Sequence, residues 1–255
     1  MLHSGLVSIT FRQLAPAAIV ELVRRAGLRG IEWGGDVHVP HGDLARAKEV
    51  RQLTEQAGLT VPAYGSYYRA GRSEDEGLPF AKVLESAVAL GTPLIRIWAG
   101  AAGSDVTGEA ARAPIVADLR RITELAAHAG VRVAAEFHGH TLNDTNAAAD
   151  RLLHEVEHPN FYSYWQPLTD MSDADCLDGL AALRPRLAHV HVFQWRTYRD
   201  RQPLAEGRER WARFFQSAAA APGDRYAMLE FVRDDAPENF VRDAATLKAL
   251  LAALD

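Results

Sequence analysis

The feature that most constrains this chain is a repeat in which a short, nearly all-apolar run is followed by a longer amphipathic stretch, with several of these stretches closing on a glycine. LVSITF precedes a helical pattern over Pro16–Ala26, GIEWGG precedes Asp43–Ala57, and LTVPAYGSYY precedes Pro79–Leu90. PLIRIWAG leads to Ala113–Ala129, and VRVAAEFHG leads to Asn146–Val156. NFYSYWQP, LAHVHVFQW and YAMLEFV supply three more strands, followed by helices near Asp173–Leu183, Arg208–Ala219 and Pro237–Leu254. Helices such as PAAIVELVRRAG carry one apolar stripe, whereas the strands are nearly apolar throughout, the pattern of a parallel sheet covered by helices. Eight strand-helix units of about thirty residues close naturally as an α/β (β/α)8 TIM barrel, read here as one domain over residues 1–255. A doubly wound sheet is the alternative, but no glycine-rich dinucleotide fingerprint follows the first strand.

Composition narrows the function. With 48% hydrophobic residues the chain can bury a large core, and no run approaches a bilayer span, so a cytoplasmic protein without membrane partners is expected. A net charge of −5 argues against a nucleic-acid footprint. The single cysteine, Cys176, lies among acids in SDADCLDGL, the wrong setting for a reactive thiolate. Lys48, Lys82 and Lys248 all fall on predicted outer helices, which leaves a Schiff-base mechanism without a nucleophile.

In such a barrel the carboxyl ends of all strands share one mouth, so polar residues at those ends converge from distant parts of the chain. They are Glu32 in GIEWGG, Trp98 in RIWAG, Glu136 and His138 in EFHGH, Gln166 in YWQP, His189 and His191 in HVHVFQW, and Glu230 in LEFV. Strand alternation places Glu136, His138 and His140 on one side. Glu136 and Glu230 have no basic neighbour on their own strand faces, so each needs a partner from elsewhere, and a divalent cation would serve. Glu32 either contacts substrate or pairs with Arg96, and His189, two residues deeper than His191, reads as a supporting or core histidine. His38, His138 and Trp98 are candidates for substrate contact, while Tyr64, Tyr67 and Trp98 either form an apolar wall or pack in the barrel.

The order of Glu on strand five, an acid or amide on six, HVH on seven and LEF on eight resembles the xylose isomerase-like TIM barrels, over essentially Leu6–Leu254. The resemblance implies a metal site of Glu136, Gln166, His191 and Glu230, holding one divalent ion, Mn²⁺ first, with Mg²⁺, Co²⁺ or Zn²⁺ as alternatives. It implies Glu136 and Glu230 as an acid/base pair and Arg196 as a substrate-binding arginine. Many relatives carry an aspartate where this chain has Gln166, so ligands plus ion change from one negative charge to neutral, and the ion should be held less tightly.

The implied activity is a metal-dependent isomerase or epimerase acting on a small ketose, polyol or keto-sugar through an enediolate. The alternative is a dehydratase or lyase acting on an inosose, 3-dehydroshikimate or a 3-keto sugar. An endonuclease IV-like nuclease lacks enough histidine ligands, and a non-catalytic sugar-binding barrel is supported only by the missing carboxylate at Gln166. By the same resemblance a homo-oligomer, dimer or tetramer, is expected.

Overall fold

The computed structural model describes residues 1–254; Asp255, the last residue of the expected domain, lies outside them. In chain order the strands are β1 (Leu2–Val7), β2 (Gly30–Gly34), β3 (Tyr64–Arg69), β4 (Leu94–Trp98), β5 (Arg132–Ala135), β6 (Phe161–Trp165) and β7 (Leu187–Val192). A short antiparallel hairpin follows, β8 (Trp195–Thr197) with β9 (Asp200–Arg201), and then β10 (Arg225–Leu229). All but the hairpin form a closed barrel in the order β1-β10-β7-β6-β5-β4-β3-β2. Its paired strands are parallel, and the ring shuts where Leu2–Leu6 pair with Arg225–Leu229. This is the expected (β/α)8 TIM barrel.

Eight helices wrap it: α1 (Pro16–Ala26), α2 (Leu44–Gln56), α3 (Phe80–Leu90), α4 (Glu109–His128), α5 (Asn146–Val156), α6 (Asp173–Leu183), α7 (Arg208–Ala219) and α8 (Pro237–Ala252). Local signals set their ends. Proline opens α1 and a left-handed Gly27 closes it; Asp43, Thr145 and Ser172 cap α2, α5 and α6 through their side chains. Helix α4 starts four residues before the expected Ala113. Pro114, which suits a first turn, instead lies inside the helix near its start.

The larger apolar cluster lies mainly between barrel and helices, and a smaller one, including Ala63, Leu94, Ala134, Tyr164, Ala188 and Met228, fills the barrel interior. The first strand ends earlier than its apolar run. Ser8–Phe11 form a 3-10 turn because Ser8 Oγ accepts from Gly34 N (2.9 Å) and Thr10 Oγ accepts from Phe231 N (3.0 Å). The loop expected at 196–207 contains the hairpin. Arg201 secures it by donating to Asp235 (2.6 Å) and stacking over Phe231 at 4.8 Å, while Trp195 Nε1 donates to Phe231 O (3.2 Å). No helix among the described residues is long and apolar enough to cross a membrane.

Candidate metal and catalytic site

Four strand ends bring the expected ligands together. Glu136 follows β5, Gln166 follows β6, His191 lies near the end of β7, and Glu230 follows β10. One ligand atom each from Glu136, His191 and Glu230 falls within 4.8 Å of the others, and all three residues are buried. His191 Nδ1 is the hub, 3.0 Å from Gln166 Oε1, 3.4 Å from Glu230 Oε2 and 3.6 Å from Glu136 Oε1. Its other nitrogen, Nε2, faces Glu32 Oε2 (3.5 Å), so both ring nitrogens face oxygen acceptors, and a cation taken up on Nδ1 would leave the ring hydrogen on Nε2.

Glu136 has a partner that strand alternation on one segment did not reveal. Buried Arg96 donates to Glu136 through Nη1 and to Glu32 through Nε (2.7 Å), and Trp98 Nε1 adds a 2.5 Å bond to the same Glu136 oxygen. Gly65 makes room for this guanidinium, since a Cβ there would lie 2.6 Å from Arg96 Nη2. Glu32 therefore does not touch the cavity as a substrate contact would. It is fully buried, with Oε1 on Arg96 and Oε2 accepting from Tyr164 (2.8 Å). Burial alone would raise its carboxyl, but Arg96 and His191 outweigh that and hold it at about 2. Glu136 is likewise penalised by burial and held well below the carboxylate range, chiefly by Arg96. Burial also works against a charged His191, yet Glu230 and Glu32 push it well above its ordinary value.

The charge balance tests whether a metal fits. Arg96 cancels Glu32, leaving Glu136 and Glu230 to face a neutral His191 and an amide oxygen. Two carboxylate oxygens, an imidazole nitrogen and a carboxamide oxygen are a suitable donor set for a divalent cation, whose charge would balance them. Without that charge His191 Nδ1 favours a proton, which a cation at the same place replaces.

Glu136, Gln166 and Glu230 of this candidate ligand set open into an inner cavity of about 200 Å³. Arg12, Tyr67, Trp98, His138, Trp195 and Phe231 are among its lining residues, and a wider outer cleft of about 820 Å³ shares His138, Gln166 and Trp195 with it. Tyr67 and Phe231 hold left-handed backbone conformations (φ 56° and 49°), a strain often found where a site fixes its side chains. His138 stacks on Trp98 at 4.9 Å, and its Nδ1 lies 2.6 Å from Gly139 O, so the hydrogen resides on Nδ1 and Nε2 is free to accept. The strand stops at Ala135, and His140 turns away into an exposed left-handed position, so alternation does not carry it beside Glu136 and His138.

Two expected substrate contacts are corrected. His38 is 1% exposed, held by Ser8 (2.9 Å) and packed on Trp33, and lines neither cavity. Arg196, with its side chain 68% exposed, reaches only Glu206 at 3.8 Å, because the hairpin turns it outward. Tyr64 is also packed away, donating to Val39 O (2.7 Å). His189 is a core residue. Its Nδ1 accepts from Tyr226 N (3.1 Å), and burial lowers it to about 4. Arg12 and Phe231 were missed. Arg12 directly follows the run ending SITF, and Phe231 follows Glu230 in LEF, so adjacency to strand ends was the available signal.

Comparison with known proteins agrees with this geometry. A Bacillus anthracis protein named 3-dehydroshikimate dehydratase is 30% identical over 206 residues, which cover 73% of this chain and 70% of that protein. The structure of a Bacillus anthracis protein described as the "probable 3-DHS dehydratase AsbF involved in the petrobactin synthesis" superposes with a TM-score of 0.81 at 22% identity, over 97% of this chain and 99% of that one. D-psicose 3-epimerase from Clostridium cellulolyticum H10 superposes with a TM-score of 0.71 at 16% identity, over all of both chains. The family model described as xylose isomerase-like TIM barrel matches residues 20–250. With a match running from the first helix into the last, the chain belongs to the xylose isomerase-like TIM barrel family.

Proposed function

We propose that this protein is a divalent-metal-dependent dehydratase that removes water from a small cyclic β-hydroxy ketone of the 3-dehydroshikimate kind. The observation that carries the reading is the 30% identity to the Bacillus anthracis 3-dehydroshikimate dehydratase. It favours the second of the two activities implied by the sequence over the epimerase placed first. The site supports the same choice. An epimerase that trades a proton between Glu136 and Glu230 needs both carboxylates free to take it up. One Glu136 oxygen already accepts from Arg96 and Trp98, and the other faces His191.

His138 is the better base. Its Nδ1 is tied to Gly139 O, its ring is braced by Trp98, and its free Nε2 belongs to a side chain lining the inner cavity. Glu136, Gln166, His191 and Glu230 would hold a divalent ion, Mn²⁺ in the first instance, which would supply Lewis-acid polarisation of the ketone. Nε2 takes the proton from the carbon between ketone and leaving hydroxyl. The C–O bond at the next carbon then breaks, and the proton departs with the hydroxyl as water, which regenerates the imidazole. With 3-dehydroshikimate the remaining ring enolises to a dihydroxybenzoate. Trp98 and Arg96 hold Glu136 in place throughout.

The test is to incubate the Mn²⁺-loaded protein with 3-dehydroshikimate and follow the ultraviolet absorbance of the aromatic product, with ketose epimerisation assayed in parallel. Dehydration that disappears in His138→Asn while bound metal is retained is the expected result. Epimerisation without dehydration overturns the reading, and an active His138→Asn returns the base role to the glutamates.

A further inference from the structure

We propose that Arg12 is the specificity residue that anchors a carboxylate on the ring substrate, an inference that rests on the dehydratase reading. Arg12 lines the inner cavity just past the turn that follows β1. In the closed ring β1 and β5 are four places apart among eight, diametrically opposed. Arg12 therefore follows the strand opposite the one that leads to His138, and its guanidinium lies between Asp36 and Tyr67. In 3-dehydroshikimate the carboxylate sits on the ring carbon para to the carbon that loses its proton. A ring whose reacting edge meets His138 thus directs its carboxylate across the barrel, toward Arg12.

The side chain is set up to receive it. Nη1 donates to Asp36 and Nη2 to Tyr67 Oη (3.1 Å), tethers from the ends of β2 and β3 that fix the guanidinium plane. Of five N–H donors, these tethers take two, which leaves Nε–H and one hydrogen on each terminal nitrogen for an anion. Arg96, the other arginine on this cavity, is committed to Glu32 and Glu136, and its remaining Nη2 sits against Gly65. Tyr67, Trp98 and Phe231 offer apolar surface for a flat ring between the two ends.

The experiment measures binding of 3,4-dihydroxybenzoate and of 3,4-dihydroxybenzamide to the Mn²⁺-loaded protein by calorimetry, for the wild type, Arg12→Gln and Arg12→Lys. Both probes carry the same ring and the same pair of hydroxyls, so comparison across variants isolates the carboxylate. The expected result is a preference for the acid of about ten- to hundredfold in the wild type, lost in Arg12→Gln and partly kept in Arg12→Lys, with affinity for the amide unchanged. A wild type without the preference, including one that binds neither probe, or an Arg12→Gln variant that keeps it, overturns the proposal. Turnover separates the two readings. An Arg12-dependent preference without dehydration leaves the anchor standing and removes the reaction, whereas dehydration with a KM unchanged in Arg12→Gln removes the anchor alone.

Discussion

Replacing Arg96 by Met removes the guanidinium that bridges two buried carboxylates, Glu32 and Glu136. Arg96 is 1% exposed and Glu32 0%, so water cannot screen what is left behind. Breaking a buried ion pair from one side costs about 3–5 kcal/mol, because the partner stays buried and uncompensated. In metal-free buffer the Arg96→Met protein should lose that much stability, read as the urea midpoint multiplied by the slope, or as a melting point lower by about 6–20 °C for a chain of this size. The mechanism makes a second, sharper demand. In the Arg96→Met background Glu32→Gln removes one orphaned charge and should restore at least about 1 kcal/mol, although Glu32→Gln alone is destabilising because it strips a partner from Arg96. A loss under about 1 kcal/mol in the single variant, or additive effects in the double, would refute the idea that Arg96 is the counter-ion holding this site together.

Asp243, buried on α8 and accepting from Leu204 N (2.8 Å), is pushed by burial to about 6. An acid whose folded value lies above its unfolded one stabilises the fold below the unfolded value and loses that contribution as pH rises through the folded one. Wild type should therefore lose about 2 kcal/mol relative to Asp243→Asn between about pH 4 and pH 6; parallel stability curves for the two proteins over that range would contradict it. Gln166→Asp adds a charged oxygen beside His191 and should tighten Mn²⁺ by at least about tenfold in a chelator competition, and unchanged affinity would take Gln166 out of the ligand set. Glu230→Gln should abolish turnover with the circular dichroism spectrum intact; an active variant would remove Glu230 from the chemistry.

Much of this molecule was legible in the sequence because period and position carry it. Eight apolar runs, each followed by a helix, leave few closures, and residues at the carboxyl ends of β5, β6, β7 and β10 converge whatever their spacing in the chain. What could not be read depended on one side chain reaching across the barrel. Alternation allows Arg96 to pair with Glu32 as one of two readings, yet its second bond, to Glu136 after the next strand, needs the actual register of β4 against β5. His38 and Arg196 lie at the right ends of their elements, but the first is bound by Ser8 and the second is turned out by a hairpin in a stretch that reads as irregular. Alternation failed for His140 because the strand stops before it.

The hairpin has a practical consequence. Its two strands bond to each other and not to the barrel ladder, and Arg201 and Trp195 tie it to the loop after β10. The barrel's hydrogen-bond register does not depend on it. The hairpin, whose Trp195 and Tyr198 line both cavities, is thus a module outside that ladder, and exchanging residues 196–200 should change which molecules enter while Trp195 and Arg201 keep their ties to the loop after β10.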